Sequence, residues 1–121
     1  VPTNTEIKDG LLIVQQTQEA DSTHLALHGE LDLANAHTLE LTLREALHRG
    51  DEVVVDMAKL EFLDSTGISM LVMALRSPDA ERLSFLPSES PEVCRLLSLT
   101  GMDERLGFGR TDGRPTMMPP A

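Results

Sequence analysis

A chain of 121 residues that is 40% hydrophobic and 2% aromatic has room for one domain with a modest aliphatic core. The formal net charge of −10 opposes phosphate backbones and anionic lipid, and the lack of Trp and Tyr removes stacking platforms for single strands, so direct nucleic-acid and membrane-surface partners are excluded. The single cysteine, Cys94, precludes an internal disulfide and a multi-cysteine metal site; in its helical apolar pattern it reads as a small buried hydrophobe.

Residues 1–9 are polar, contain a proline and read as a flexible N-terminus. Leu11 to Val14 lead into a first strand, Glu19 to Ser22 into a turn, and Thr23 to His28 alternate with period two, which predicts a hairpin with Leu25 and Leu27 on one buried face. Gly29-Glu30-Leu31-Asp32 closes the second strand. Asn35 is suited to cap the helix that follows, whose apolar face is Ala36, Leu39, Leu43, Ala46 and Leu47, and Arg49-Gly50 stops it. Val53-Val54-Val55 is a continuous β-branched run, expected of a strand covered on both faces and ending at Asp56.

An apolar run then stops at Asp64-Ser65-Thr66-Gly67 and resumes at once with helical spacing: Ile68, Leu71, Val72, Leu75. Ser77-Pro78-Asp79 breaks that helix. Residues 82–86 form a short strand, Ser90-Pro91 opens a third helix, Gly101 ends it, and Met102 to Phe108 can hold one last short strand. Residues 109–121, rich in Gly and Pro without periodicity, read as a disordered tail. The expected architecture is a single α/β domain over 10–108, with a mixed sheet of about four or five strands, the later ones parallel, and helices layered on it. In such sheets function gathers at the C-terminal strand ends, where both Gly29–Asn35 and Leu63–Gly67 fall.

Four segments in order, Gly29-Glu30-Leu31-Asp32, Val53-Val54-Val55-Asp56, Leu60 through Gly67, and Val93-Cys94-Arg95-Leu96-Leu97 running to Gly101, resemble the STAS domain family, whose small free-standing members are anti-sigma factor antagonists. The resemblance implies partner switching in transcription regulation and stress response. The unphosphorylated antagonist binds an anti-sigma factor that is a serine kinase and frees the sigma factor; phosphorylation of the serine in the Asp-Ser-(Ser/Thr)-Gly turn dissolves the complex, and a phosphatase resets it. The matching phosphoacceptor is Ser65, flanked by Asp64, Thr66 and Gly67, with Asp32 matching the acidic residue beside the site. Asp32, Asn35, Asp64, Ser65, Thr66 and Gly67 thus form the expected partner-binding set. An alternative is a STAS module serving as a scaffold or transport accessory with no sigma factor.

From spacing alone, Asp64 to Gly67 also reads as a plain helix cap, with Thr66 as a rival acceptor. His24 and His28 share a strand face, and His37 and His48 lie on the first helix, but no Cys or carboxylate motif completes a metal site. No histidine is placed by sequence to activate Ser65, and neither a Gly-Xaa-Ser-Xaa-Gly elbow nor a glycine-rich phosphate loop occurs, so the chain reads as the substrate of a kinase, without enzymatic activity or cofactor of its own. The apolar runs are far shorter than a membrane span and no signal-peptide core is present, which makes a cytoplasmic protein the expectation.

Overall fold

The computed structural model describes residues 1–108. Five strands form one mixed sheet in the order β1 (Thr3–Asp9), β2 (Leu12–Glu19), β3 (Ser22–Leu31), β4 (Glu52–Leu63) and β5 (Leu83–Leu86). The first three are antiparallel hairpin partners; β3–β4 and β4–β5 are parallel. Helix α1 (Ala36–His48) crosses from β3 to β4 and α2 (Ser65–Leu75) from β4 to β5; α3 (Pro91–Leu99) and α4 (Met102–Arg105) follow. Mixed sheet, parallel later strands and layered helices match the expected α/β class.

Burial alternates along the central strands. Thr23, Leu25, Leu27, Val53, Val55 and Met57 are buried, while His24, Ala26, His28, Val54, Asp56 and Ala58 between them are only partly covered. The helices therefore cover one face, and the expectation that Val53 to Val55 is enclosed on both sides is corrected. Successive crossovers from β3 to β4 to β5 advance in one direction, and two right-handed connections advancing the same way set their helices on the same side.

Residues 3–9, expected as a flexible terminus, form edge strand β1 in full register with β2, from Thr3 opposite Gln18 to Asp9 opposite Leu12. The connection is the two-residue loop Gly10-Leu11, with Gly10 at φ 57°, a conformation glycine takes without a Cβ penalty. Asp9-Gly10 was thus a hairpin signal, and the polarity of β1 reflects its place at a solvated edge.

Strand β4 runs past Asp56 to Leu63. Asp56 does not end it: the carboxylate accepts from the Ala58 amide at 3.0 Å and lies 3.1 Å from His24 Nε2. The register between β3 and β4 shifts between Ala26 and His28 and again between Gly29 and Glu30. Gly29 (φ 96°) leaves no room for a side chain there, since a Cβ would sit 2.1 Å from the Leu11 carbonyl oxygen. Such irregularities re-aim a strand end, here the one leading to the Ser65 turn.

The last strand expected between Met102 and Phe108 is instead α4. Met102 and Leu106 are the buried anchors, and a spacing of four suits a helix where a strand needs two. Cys94, expected as a buried hydrophobe, is exposed, with its Sγ donating to the Ser88 carbonyl at 3.1 Å. Val93 and Leu97 supply the buried face of α3 instead. The expected disordered tail, 109–121, lies outside the described residues.

Candidate functional site

Where β3 and β4 end side by side, Leu31 pairs with Leu63, which sets the next residues, Asp32 and Asp64, at the same level of the sheet. The backbone joins them further: the Asp64 amide donates to the Leu31 carbonyl at 3.3 Å. From this shared edge one chain turns into the loop before α1 and the other enters α2 directly.

Asp64 is the N-cap of α2. Its Oδ1 accepts from the Gly67 amide at 3.0 Å, and its Oδ2 accepts from the Leu33 amide at 3.3 Å. One carboxylate thus satisfies a helix-start donor and ties the neighbouring loop to the same point. Ser65, the first residue of α2, is exposed, and among the described residues nothing hydrogen-bonds its hydroxyl. Nor does any acceptor there meet the amides of Ser65 and Thr66, so the positive end of α2 faces solvent beside the hydroxyl. Thr66 is half-buried and so the less accessible of the two hydroxyl residues.

Gly67 is buried. A Cβ on it would lie 2.4 Å from Leu63 Cδ1 and 3.2 Å from the Leu31 carbonyl oxygen. Its part is to let the first turn of α2 approach β3 and β4. Asn35 is buried as well, at 0% exposed. Although it occupies the N-cap position of α1, its side chain makes no cap bond. Its Oδ1 accepts from the Asp32 amide at 2.9 Å, while Nδ2 donates to the carbonyls of Glu30 at 2.9 Å and Asp9 at 3.3 Å. Asn35 therefore pins the Asp32 loop to the end of β3 and to the β1–β2 hairpin. Asp32 is half-buried and its Oδ1 accepts from the Ala34 amide at 3.0 Å, an Asx-type turn that fixes the carboxylate in the loop.

Of the six residues expected at the site, then, Asp32, Asp64, Ser65 and Thr66 present surface, and Asn35 and Gly67 hold them from beneath. Two exposed apolar side chains beside the turn were not anticipated: Leu33, 77% exposed, whose amide bonds Asp64, and Phe62, 44% exposed, at the end of β4. Phe62 was hidden in the apolar run that ends at Asp64, whereas Leu33 stood out as a large apolar group between Asp32 and Asn35, ahead of the helix it precedes. Elsewhere His24 is engaged by Asp56 and His28 Nε2 lies 3.2 Å from Gln15 Oε1. Among the described residues no three His, Cys, Asp or Glu side chains converge as a metal site would need.

A family model described as "Mlab, STAS domain" matches residues 14–108. The chain belongs to the STAS domain family. Among solved structures, this STAS domain is similar in fold to an anti-sigma factor antagonist from Mycobacterium paratuberculosis, with a TM-score of 0.62 at 21% identity over 91% of this chain and 89% of that one. It is also similar to the anti-sigma factor antagonist SpoIIAA in its unphosphorylated form, with a TM-score of 0.63 at 20% identity over 74% of this chain and 81% of that one.

Proposed function

We propose that this STAS domain is an anti-sigma factor antagonist whose unphosphorylated form binds an anti-sigma factor with serine-kinase activity, and that phosphorylation of Ser65 abolishes the binding. The observation that carries the reading is the hydroxyl of Ser65: exposed and, among the described residues, unbonded at the first position of α2, on a turn capped by Asp64. A kinase needs an accessible hydroxyl on a chain it can seat. A hydrolytic enzyme would need that hydroxyl bonded to a base, and none reaches it among the described residues. The names of both similar solved structures, and the phosphorylation state in one of them, support the same reading.

The energetics favour a switch over an unfolding event. A phosphate on Ser65 would add about −1.5 to −2 charges. The open amides of α2 would offset about 0.3–1 kcal/mol of the repulsion from Asp64 and Asp32, and solvent at this exposed turn would screen much of the rest. A partner packed on the turn has no such relief, because it must desolvate the dianion. Losing about 2.8 kcal/mol at the interface weakens binding roughly a hundredfold. A phosphatase acting on phospho-Ser65 completes the cycle. Placed in this role, the protein works where its sigma factor works, in the cytoplasm; no helix among the described residues is long and apolar enough to cross a membrane.

The test is incubation with the candidate kinase and ATP, followed by a binding titration. Phosphate should appear on the wild type and not on Ser65→Ala. Ser65→Ala should keep its affinity for the anti-sigma factor and Ser65→Glu should lose at least tenfold. Equal affinity of all three forms would refute the proposal. One observation favours a second reading, a STAS module acting as a scaffold or transport accessory: the matching family model is described by the name Mlab and not by an anti-sigma protein. Under that reading the native partner recovered with the protein is a transporter component and Ser65 stays unmodified.

A further inference from the structure

Strand β1 is the edge of the sheet, with β2 on one side and, among the described residues, no strand on the other. Its hairpin fixes which backbone groups face out. The two-residue loop makes Asp9 and Leu12 a mutually hydrogen-bonded pair, and alternation then directs the amides and carbonyls of Asp9, Ile7, Thr5 and Thr3 at β2. Those of Lys8, Glu6 and Asn4 point at the open edge. Glu6 and Lys8 are both exposed, and neither has an ion-pair partner among the described residues.

We infer that β1 pairs antiparallel with β1 of a second copy of this chain, making one continuous ten-stranded sheet across a two-fold axis at Ile7. The register follows from charge. Registers that place outward-facing residues opposite each other set Glu6 against Glu6, Lys8 against Lys8, Asn4 against Glu6, or Glu6 against Lys8. Like charges directly opposite are unfavourable, the Asn4 register leaves Lys8 unmatched, and only the last joins opposite charges, twice by symmetry. In that register Glu6 and Lys8 exchange backbone hydrogen bonds as well as facing each other as side chains, and Ile7 meets its symmetry mate on the helix-covered face. Ile7 is already partly buried against the core there, so the pairing extends an existing apolar surface. Edge strands that must stay single are commonly blunted by Pro, by bulges or by charged side chains left unmatched. β1 has neither Pro nor bulge within its span, since its register with β2 is unbroken and Pro2 lies before it, and its outward charges, Glu6 and Lys8, are of opposite sign, so a second copy can match them. The seam is short, so the dimer belongs among weak, concentration-dependent associations. This inference does not depend on the role of Ser65, which lies at the end of a different strand.

The test is sedimentation velocity of the full chain at about 0.15 M salt over a concentration series reaching about 1 mM, with four variants. The wild type should shift from monomer to dimer. Glu6→Lys and Lys8→Glu each turn both attractive pairs repulsive and should weaken dimerisation roughly tenfold. The double swap restores opposite charges and should restore the dimer. Glu6→Pro removes an outward amide without touching the β1–β2 ladder, so it should yield a folded monomer by circular dichroism. A wild type that stays monomeric throughout overturns the inference and leaves the edge to a strand of another protein. A dimer indifferent to the single swaps, or not rescued by the double swap, overturns it equally by placing the interface elsewhere.

Discussion

Replacing Asp64 by Ala tests whether the turn is held as its geometry implies. Three contributions are lost. The N-cap bond to the Gly67 amide is worth about 1 kcal/mol. The bond to the Leu33 amide, longer and nearer solvent, is worth about 0.5 kcal/mol. The negative charge at the start of α2 adds about 0.5 kcal/mol through the helix dipole. The sum is about 2 kcal/mol. At an unfolding entropy of about 2.1 cal/mol/K per residue, that lowers Tm by roughly 8 °C for a domain of this size. Asp64→Asn keeps an acceptor for Gly67 and loses the charge and the Leu33 bond, so it should cost about half as much. Urea unfolding followed by far-UV circular dichroism gives the energies, and amide exchange at Gly67 and Leu33 reports the site directly, with both protected in the wild type and both faster in Asp64→Ala. The reasoning fails if Asp64→Ala is within about 0.3 kcal/mol of the wild type, or if Asn is as damaging as Ala.

Gly67→Ala should destabilise by about 1–3 kcal/mol, because the new methyl meets Leu63 and the Leu31 carbonyl and outweighs the roughly 1 kcal/mol of helix propensity gained. A net stabilisation in the same urea assay would show that the approach of α2 to the sheet is looser than described. Ala20, in the β2–β3 turn, sits at φ 52°, where an L-residue is strained by about 1–2 kcal/mol and glycine is not. Ala20→Gly recovers that strain and gives back about 0.5–1 kcal/mol in unfolded-chain entropy, so thermal unfolding should show a net gain near 0.5 kcal/mol, or Tm higher by about 2 °C; a lower Tm would contradict it.

The Ser65 turn was legible because it is local. Asp64, Ser65 and the start of α2 follow one another in sequence, and a cap, its helix and an interrupted apolar run are all short-range signals. The same holds for α1 and for the alternation of Leu25 and Leu27, both fully buried as their spacing requires. What the sequence hid is long-range. Asn35 looked like a cap because it precedes a helix, but its partners, Asp9, Glu30 and Asp32, come together only once three strands have paired. β1 looked like a frayed end because only Ile7 and Asp9 on it are even partly covered, too few to write a pattern; only its Asp9-Gly10 turn was local. Asp56 looked like a strand end because charge inside a β-branched run ordinarily stops it, and its acceptance by His24 requires the neighbouring strand.

These long-range contacts explain how an exposed turn can sit on a firm base. Asp32 and Asp64 end adjacent parallel strands, so their spacing is set by the sheet and not by loop length. The Leu33 amide bound to Asp64 and the Asp32 amide bound to Asn35 fix the loop between β3 and α1 from both sides. Asn35 in turn reaches the carbonyl of Asp9, so the hairpin that carries the outer edge of the sheet is also a buttress of the site. Thr38 adds a second tie to the same residue through the Asp9 carboxylate. Under the proposed function, a turn pre-set in this way would lose little conformational entropy on docking, and a charge added at Ser65 would act on the interface without first being absorbed by movement of the loop. On these grounds the acidic neighbours have two separable parts: Asp64 builds the helix start, while the Asp32 carboxylate, bonded among the described residues only within its own turn, carries charge that the fold itself does not pair.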